Sequence, residues 1–320
     1  MRTIALEEHF WVPALASPPG TGVLALLGED LGAQLGDLGE GRLAGMDAAG
    51  IDMQVISHNA PAAQHLPGEE ALARSREAND LLAKAVRAYP DRFAGFAALP
   101  TADPAAAADE LERAVTELGF AGAIVHSTLG TNGTFLDDPG YRPLLARAER
   151  LDVPLYLHPS RPPAALADIL FQGLPPRLAG LLASSAWGWH AEAGLHTLRL
   201  VVTGVFDRHP GLRLIIGHCG EMLPFMMARI DQVLTPQRTG LADPVSEYLL
   251  RHVWVTTSGM FSLPPLLCTL QVFGTDRVLF SVDHPFAPNA LGRAVLDALP
   301  LSPADKAKVA GLNAIRLLRL

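Results

Sequence analysis

Residues of the kinds that bind metals follow four short apolar segments, spread from the first ten residues of the chain to its last forty. Each segment ends in a polar side chain, as expected where a parallel barrel presents its chemistry at the carboxyl ends of its strands. The residues are Glu7 and His9 in IALEEHF, His158 in PLYLHP, His218 in LIIGHCGE and Asp283 in LFSVDHPF. Carboxylate and imidazole groups gathered at one rim predict a site for a single metal ion.

Each of these residues, considered alone, can also be explained by a purely structural role. Glu7 and His9 lie two positions apart on a predicted strand, so both project to one side while Glu8 points away. In the structural alternative, Glu7 or Glu8 simply pairs with an arginine at a barrel end, and His158 is a core histidine bonded to a carbonyl. An unpaired carboxylate after a buried strand costs free energy, so Asp283 requires a metal or a cationic partner.

His218 precedes Gly220 and Glu221, where a helix is predicted to begin. Residue type alone leaves it either as a metal ligand or as an acid or base close to the metal. Its neighbour Cys219 could be taken for a ligand or nucleophile. We favour a buried core thiol, because no base is paired with it.

Eight strand-like runs and the helix-like stretches between them position these side chains. The predicted strands are residues 3–7, 53–57, 93–98, 121–126, 153–157, 212–216, 253–257 and 278–282. The predicted helices are residues 68–88, 103–118, 139–151, 191–207, 223–234 and 264–273, with a last helix capped by Ser302. Short apolar strands that alternate with helices predict a (β/α)8 TIM barrel, here one domain over residues 1–320.

Two stretches exceed the minimal repeat, residues 11–43 and 160–189, both rich in Gly, Pro, Leu and Ala. Each follows a strand that ends in a candidate ligand. We interpret them as loop insertions at the C-terminal rim, which either shape a substrate pocket or form oligomer contacts.

Composition restricts the partners. Hydrophobic residues make up 49% and charged residues 18% of the 320 positions, enough for a large core. The formal net charge of -8 gives no reason to expect nucleic acid or an anionic membrane as partner. No segment has the ~20 apolar residues of a membrane span, no secretory pattern is evident, and two cysteines form no disulfide framework. We therefore expect a cytoplasmic protein.

The motifs ALEEHF, DVPLYLHP, LIIGHCGEMLPFMMARID, VTTSGMF and RVLFSVDHPF occur in this order along nearly the whole chain. Together they resemble the metal-dependent nonoxidative decarboxylases of the amidohydrolase superfamily, which include γ-resorcylate, 2,3-dihydroxybenzoate and aminocarboxymuconate semialdehyde decarboxylases. Many hydrolytic members begin with H-x-H and often carry a carboxylated lysine for a second metal, whereas here Glu7 replaces the first histidine and the fourth strand ends in His126. This difference favours one metal and decarboxylation.

The resemblance implies a role for each site residue. Its metal ligands are Glu7, His9, His158 and Asp283, and its catalytic residues are Asp283 as proton donor, with His218 and Glu221 beside it. The cofactor is one divalent ion, with Zn²⁺ or Mn²⁺ favoured and Mg²⁺ as the alternative; the ligand set mixes hard and borderline donors, so ligand chemistry does not decide among them. Arg229 would reach the substrate across a subunit interface, which implies a homodimer or homotetramer. Candidate substrate contacts are Asn59, Phe10 and Phe286.

The implied reaction is the decarboxylation of a hydroxylated aromatic or related unsaturated acid. His58, His126 and His284 stand where γ-resorcylate enzymes are expected to have other residues, so the substrate stays open. Two alternatives remain: a metal-dependent hydrolase of an ester, lactone or amide, and a non-catalytic metal-binding barrel. Release of carbon dioxide separates the first alternative from decarboxylation, and metal content tests the second.

Overall fold

Eight parallel strands form the centre of the molecule, as the sequence predicts. The computed structural model describes residues 1–12, 15, 29–64, 66–129 and 133–320. The strands are β1 Ile4–Phe10, β2 Met53–His58, β3 Phe93–Ala98, β4 Gly122–His126, β5 Leu155–His158, β6 Leu214–Ile216, β7 Val253–Thr256 and β8 Val278–Leu279. Each pairs with the next along the chain, and a parallel bridge between Leu6 and Ser281 joins the last strand to the first. The (β/α)8 barrel is confirmed.

Helices surround the barrel. They are α1 Glu29–Gly36, α2 Glu40–Ala49, α3 Gly68–Ala88, α4 Pro104–Thr116, α5 Arg142–Leu151, α6 Ala164–Leu170, α7 Pro176–Ala183, α8 Gly188–Val202, α9 Val205–Arg208, α10 Leu223–Val233, α11 Pro236–Thr239, α12 Val245–His252, α13 Leu263–Phe273, α14 Asn289–Ala298, α15 Pro303–Ala307 and α16 Asn313–Leu318. A 3₁₀ turn at Pro139–Tyr141 precedes α5, and a π turn at Lys308–Leu312 joins α15 to α16. No helix in the described part of the chain is both long and apolar enough to cross a membrane.

The core has two layers. Inside the barrel, apolar side chains from the strands pack with α16, which closes the amino-terminal end. This inner set includes Ile4, Leu6, Met53, Val55, Phe96, Ile124, Tyr156, Ile215 and Leu279. The larger layer lies between the strands and the helices. The barrel is thus a packed core, and its carboxyl end is the place where polar groups can collect.

Some elements differ from the prediction. The predicted helix over 191–207 is two helices, α8 and α9, because Gly204 has a φ of 70° and ends the helical path. The insertion over 160–189 contains α6 and α7, whereas residues 13–14 and 16–28 of the other insertion lie outside the described residues. Ser302 caps α15 as predicted, since its side chain accepts from the Asp305 amide.

Candidate metal and acid–base site

The end of β1 brings Glu7 and His9 inside the barrel because the strand is bulged. Leu6 faces the barrel interior, so strict alternation would turn Glu7 outward. The register against β2 shifts between Ala5 and Glu8, and Glu7 has a φ of 59°. The bulge directs Glu7 and His9 inward while Glu8 points to the opposite side, as their spacing predicts.

Two hydroxyl groups anchor one oxygen of the Glu7 carboxylate. The Tyr156 hydroxyl donates to Oε2, and Thr256 Oγ1 donates to the same oxygen over 3.1 Å. The other oxygen, Oε1, is buried and has no hydrogen-bond partner among the described residues. It faces His158 Nε2 at 3.4 Å and His218 Nδ1 at 3.8 Å. The carboxylate therefore keeps one oxygen free at the centre of the rim.

His9 and His158 present ring nitrogens to the same region. His158 Nδ1 donates to the carbonyl oxygen of Pro159 over 2.6 Å, which leaves Nε2 as an acceptor in the neutral ring. His9 Nδ1 lies 3.5 Å from Ser57 Oγ, and His9 Nε2 has no hydrogen-bond partner in the described part of the chain. The ligand atoms of Glu7, His9 and His158 all lie within 4.8 Å of one another.

Asp283, just after β8, connects this group to His218. Its Oδ1 lies 3.3 Å from His9 Nε2, and its Oδ2 lies 3.9 Å from His218 Nε2. A φ of 74° at Asp283 is part of the backbone turn that aims the side chain. We name Glu7, His9, His158 and Asp283 the Glu7 cluster. The structure thus brings together the four residues predicted as metal ligands.

A second group of similar residues adjoins the first. The Glu221 carboxylate lies between two imidazoles, with Oε1 2.7 Å from His218 Nδ1 and Oε2 2.6 Å from His190 Nδ1. These three residues, named the Glu221 cluster, also have ligand atoms within 4.8 Å of one another. Both oxygens of the Glu221 carboxylate have hydrogen-bond donors, whereas Glu7 Oε1 has none among the described residues.

The segment that carries His218 and Glu221 is a left-handed turn rather than the start of the predicted helix. Backbone φ is positive at five consecutive residues, His218, Cys219, Gly220, Glu221 and Met222. The helix α10 begins only after them. Gly217, just before the turn, lacks a Cβ where one would lie 2.9 Å from Glu7 Oε1. Close approach of the turn to β1 therefore requires glycine at that position.

Charges and burial set different protonation states in the two clusters. Burial lowers the pKa of His9 to about 4 and that of His158 to about 3, so both rings are neutral at pH 7. Burial opposes the charge on His218, but Glu221 and Glu7 outweigh it and raise its pKa to about 10. Burial likewise opposes ionisation of Glu221, yet His218 and His190 lower its pKa to about 2.

Asp283 and Tyr156 also have pKa values shifted by the same environment. Burial raises the pKa of the Asp283 carboxyl to about 7, against the opposing charges of His218 and His190. Burial, together with the Glu7 charge, raises the pKa of Tyr156 well above its usual value, which keeps its hydroxyl as a donor. A carboxyl group that titrates near neutrality at the end of a barrel strand has the properties of an acid–base catalyst.

The residues predicted to contact the substrate differ in how close they lie to the Glu7 cluster. The Phe286 ring lies 5.6 Å from the His9 ring, centroid to centroid, and is partly exposed beside the Glu7 cluster. Phe10 is 1% exposed and packs in the layer between barrel and helices, against His58. The Asn59 side chain donates to the neighbouring Ala60 carbonyl. Arg229 is exposed on α10, bonded to Gln232, and does not contact the site of its own chain.

The three rim histidines that differ from expectation have distinct surroundings. His58 uses both ring nitrogens on backbone groups, donating to Asn59 O and accepting from the Val12 amide. His126 Nδ1 lies 3.1 Å from His158 Nδ1, and its buried Nε2 has no partner among the described residues. His284 is partly exposed beside Asp283. Only His126 therefore contacts the Glu7 cluster directly through its side chain.

Sequence reasoning missed three residues that hold the site together: Tyr156, Thr256 and His190. Tyr156 stands two residues before His158 on the same strand, a spacing that could have indicated a shared face. Thr256 lies within the VTTSGMF motif, but nothing in that motif names its partner. His190 has no signal of this kind, because it reaches Glu221 from a different element.

The donor atoms of the Glu7 cluster fit a divalent cation. Glu7 Oε1 and His9 Nε2 are buried without hydrogen-bond partners in the described residues, and burying polar atoms in this way costs free energy unless something binds them. Two neutral imidazoles and two carboxylates form a ligand set that suits Mn²⁺ or Zn²⁺. The Glu221 cluster offers no such free pair, because its carboxylate is already satisfied.

Comparison with known proteins gives consistent matches over the full length. The profile of the amidohydrolase family matches residues 8–320. γ-Resorcylate decarboxylase of Rhodococcus jostii is 41% identical, over 99% of this chain and 98% of that protein. A solved 2,6-dihydroxybenzoate decarboxylase in complex with 2,6-dihydroxybenzoate is 38% identical, with a TM-score of 0.90 and coverage of 100% and 99%.

A third relative carries a metal. The structure of a dihydroxybenzoic acid decarboxylase from Polaromonas sp., with bound manganese and the inhibitor 2-nitroresorcinol, is 36% identical to this chain. Its TM-score is 0.91, and the match covers 100% of this chain and 97% of that one. The predicted likeness to metal-dependent decarboxylases is confirmed, and the chain belongs to the amidohydrolase family.

Proposed function

We propose that this chain is a metal-dependent nonoxidative decarboxylase of a hydroxylated aromatic carboxylic acid, with 2,6-dihydroxybenzoate as the first substrate to test. The observation that carries the proposal is that two buried donor atoms, Glu7 Oε1 and His9 Nε2, have no hydrogen-bond partner among the described residues. The chain that contains them is similar over its whole length to γ-resorcylate decarboxylase. Because neither atom has a hydrogen-bond partner among the described residues, both are available to a cation.

The Glu7 cluster would hold one divalent ion, Mn²⁺ or Zn²⁺, with Mg²⁺ as the alternative. The manganese in the Polaromonas relative supports this assignment. When bound, the ion supplies Lewis acidity and a template for a substrate carboxylate and its neighbouring hydroxyl. Tyr156 and Thr256 fix Glu7 Oε2, so that the carboxylate presents Oε1 in one orientation.

The chemical task is to release carbon dioxide without forming an aryl carbanion. Asp283 would transfer a proton to the ring carbon that carries the carboxylate. A carbon–hydrogen bond then forms, the bond to carbon dioxide breaks, and its electron pair returns to the ring. Positively charged His218, oriented by Glu221, faces Asp283 and would stabilise negative charge that develops on a ring oxygen. Phe286, partly exposed beside His9, would contact the aromatic ring.

A second copy of the chain is the proposed partner. Apolar side chains are exposed on α6, α7 and α10, including Ile169 at 67% and Phe225 at 85%. Large exposed apolar side chains that cluster are typical of interfaces. Arg229 follows Phe225 by one helical turn on α10, so an interface that covers Phe225 would carry Arg229 to the substrate of the other copy. A cytoplasmic location stays a prediction, consistent with Cys219 and Cys268 being free thiols.

Complementation tests the shared site. Arg229→Ala and Asp283→Asn should each be inactive, whereas a mixture should regain activity, because one site of each mixed dimer receives both intact residues. Light scattering should give the mass of a dimer or tetramer. A monomeric mass, or Arg229→Ala with unchanged kcat/KM, would contradict the shared site.

The test of the reaction itself uses protein loaded with Mn²⁺ and a panel of hydroxybenzoates, with 2,6-dihydroxybenzoate first. We expect the acid to be consumed, as followed by its ultraviolet absorbance, and carbon dioxide to be released in equal molar amount. The Glu7→Gln variant, which keeps the shape of the side chain, should give neither signal. Hydrolysis of esters, lactones or amides without carbon dioxide release would establish the hydrolase alternative.

A further inference from the structure

His190 occupies a place in the site that the proposed ligands and proton donor do not explain. It lies in the first turn of α8, at the end of the insertion that follows β5, with its side chain 14% exposed. Its ring lies edge-on to that of His218, with centroids 4.6 Å apart. Among the described residues it forms no hydrogen bond or ion pair with Glu7 or Asp283, so any effect on the orientation of the proton donor passes through the Glu221 cluster.

The hydrogen bonds of His190 hold its ring on both sides. The ionised Glu221 carboxylate can only accept, so His190 Nδ1 donates to Glu221 Oε2 over 2.6 Å. On the other side, Nε2 lies 3.1 Å from the indole nitrogen of Trp189 and 2.9 Å from the carbonyl oxygen of Ser185. The α8 terminus thus presents one oriented donor to the carboxylate.

Glu221 needs such an anchor because of its backbone. It lies in the left-handed turn His218–Glu221, whose interior residues have non-helical φ and ψ values and no regular helical framework. The start of α8 approaches this turn closely, since a Cβ at Gly194 would lie 2.7 Å from Glu221 O. Side-chain bonds at both carboxylate oxygens therefore set the direction of the carboxylate, and His190 supplies one of them.

We propose that His190 is a positioning residue for the decarboxylation. By donating to Glu221 Oε2 it fixes the carboxylate whose other oxygen accepts from His218 Nδ1, and so directs His218 Nε2 toward Asp283. This inference rests on the proposed function for its kinetic consequences. Its structural claim, that the carboxylate turns when the donor is removed, does not depend on the reaction.

An isosteric pair of variants tests the donor. Asparagine can place an amide donor close to the position of a histidine Nδ1, and leucine has nearly the same shape without a donor. In His190→Leu we expect kcat to fall about tenfold with KM changed less than about twofold, as for one lost hydrogen bond to a charged group that acts in the transition state. In His190→Asn we expect kcat within about threefold of the parent.

The matched control is His209, whose Nδ1 lies 3.0 Å from Glu149 Oε2 outside the site. His209→Leu should leave kcat unchanged. In a Glu221→Gln background, His190→Leu should cause little further loss, because both changes act through one carboxylate. Equal kcat in His190→Leu and His190→Asn, or full additivity with Glu221→Gln, would overturn the proposal.

Crystal structures of the two variants decide the structural claim even if no substrate is turned over. The His218 Nδ1 to Glu221 Oε1 distance should stay close to 2.7 Å in His190→Asn and lengthen in His190→Leu. An unchanged carboxylate in both variants would refute the positioning role. If His190→Leu does not fold, His190→Ala replaces it in both measurements. Absence of carbon dioxide release by the parent protein would refute the proposed function alone.

Discussion

The Glu7 cluster and the Glu221 cluster are built from the same two residue types, lie side by side and are both buried, yet their hydrogen bonding is opposite. Glu7 Oε1 and His9 Nε2 have no partners among the described residues. Both oxygens of Glu221 have imidazole donors within 2.7 Å. The first arrangement leaves atoms free for a ligand, and the second uses both carboxylate oxygens to fix an orientation.

The comparison shows that the proximity of histidines and carboxylates does not by itself identify a metal site. The ligand atoms of Glu7, His9 and His158 satisfy the same distance limit of 4.8 Å as those of the Glu221 cluster. What separates them is protonation: His9 and His158 are neutral acceptors, whereas His218 is a charged donor whose pKa is raised to about 10 by Glu221 and Glu7 against the effect of burial. This difference supports the proposed placement of the cation in the Glu7 cluster and of proton transfer at its border with the Glu221 cluster.

Removal of the metal has the largest expected effect. Treatment with a chelator should abolish decarboxylation, and Mn²⁺ should restore it, because the substrate then loses its template. Mn²⁺ should also stabilise the fold by about 2.7 kcal/mol at a free concentration about a hundred times Kd. A thermal unfolding series with added Mn²⁺ measures this. Activity that survives complete chelation would show that the Glu7 cluster does not bind a catalytic ion.

Asp283→Asn is expected to have the next largest effect. The amide has nearly the same shape but cannot donate a carboxyl proton, so kcat should fall by about a thousandfold or more. Circular dichroism should show an intact fold. Asp276→Asn, at a surface ion pair with Lys308, is the control and should leave kcat unchanged. Undiminished turnover in Asp283→Asn would exclude the proposed proton donor.

Glu221→Gln separates the two clusters. It removes the negative charge that holds His218, so kcat should fall about a hundredfold, within the usual range for a lost acid–base partner. Mn²⁺ affinity should change little, because Glu221 lies in the cluster that we do not assign to the metal. Titration calorimetry with Mn²⁺ measures the affinity. A loss of Mn²⁺ binding equal to that of Glu7→Gln would reverse the assignment.

Tyr156→Phe should give the smallest effect. It deletes one of the two hydroxyl donors to Glu7 Oε2 and leaves the ring that packs inside the barrel. Mn²⁺ affinity should weaken about tenfold, as is usual when a group that orients a ligand is removed. Tyr248→Phe removes a hydroxyl bonded to Asp207 elsewhere and is the control. Unchanged affinity in Tyr156→Phe would show that Thr256 alone orients the carboxylate.

Much of the fold could be predicted because the apolar runs that end in Glu7, His158, His218 and Asp283 can be recognised from the sequence as strands. A parallel barrel buries its strands on both faces, which leaves uninterrupted apolar segments and polar ends. The helices α12 and α14 and those in the insertions were not predicted. They span ten residues or fewer, which is too short for a helical period to be distinguished from the pattern of a loop or strand.

The residue types of the site could be predicted from the sequence, but the contacts between its residues could be predicted less well. Spacing placed Glu7 and His9 on one side, but the bulge that turns them inward depends on a positive φ that no residue type announces. The partnership of Glu7 with Thr256 spans 249 positions along the chain. His190 belongs to the same class, since its role depends on where α8 meets the left-handed turn. Such contacts are properties of the folded chain.

The most direct test of the division between the clusters is the metal content of matched variants. The protein should be loaded with Mn²⁺, freed of excess ion by gel filtration, and assayed by elemental analysis as the parent, Glu7→Gln and Glu221→Gln. We predict about one ion per chain in the parent and in Glu221→Gln, and close to none in Glu7→Gln. Retention of the ion by Glu7→Gln together with its loss from Glu221→Gln would contradict the account.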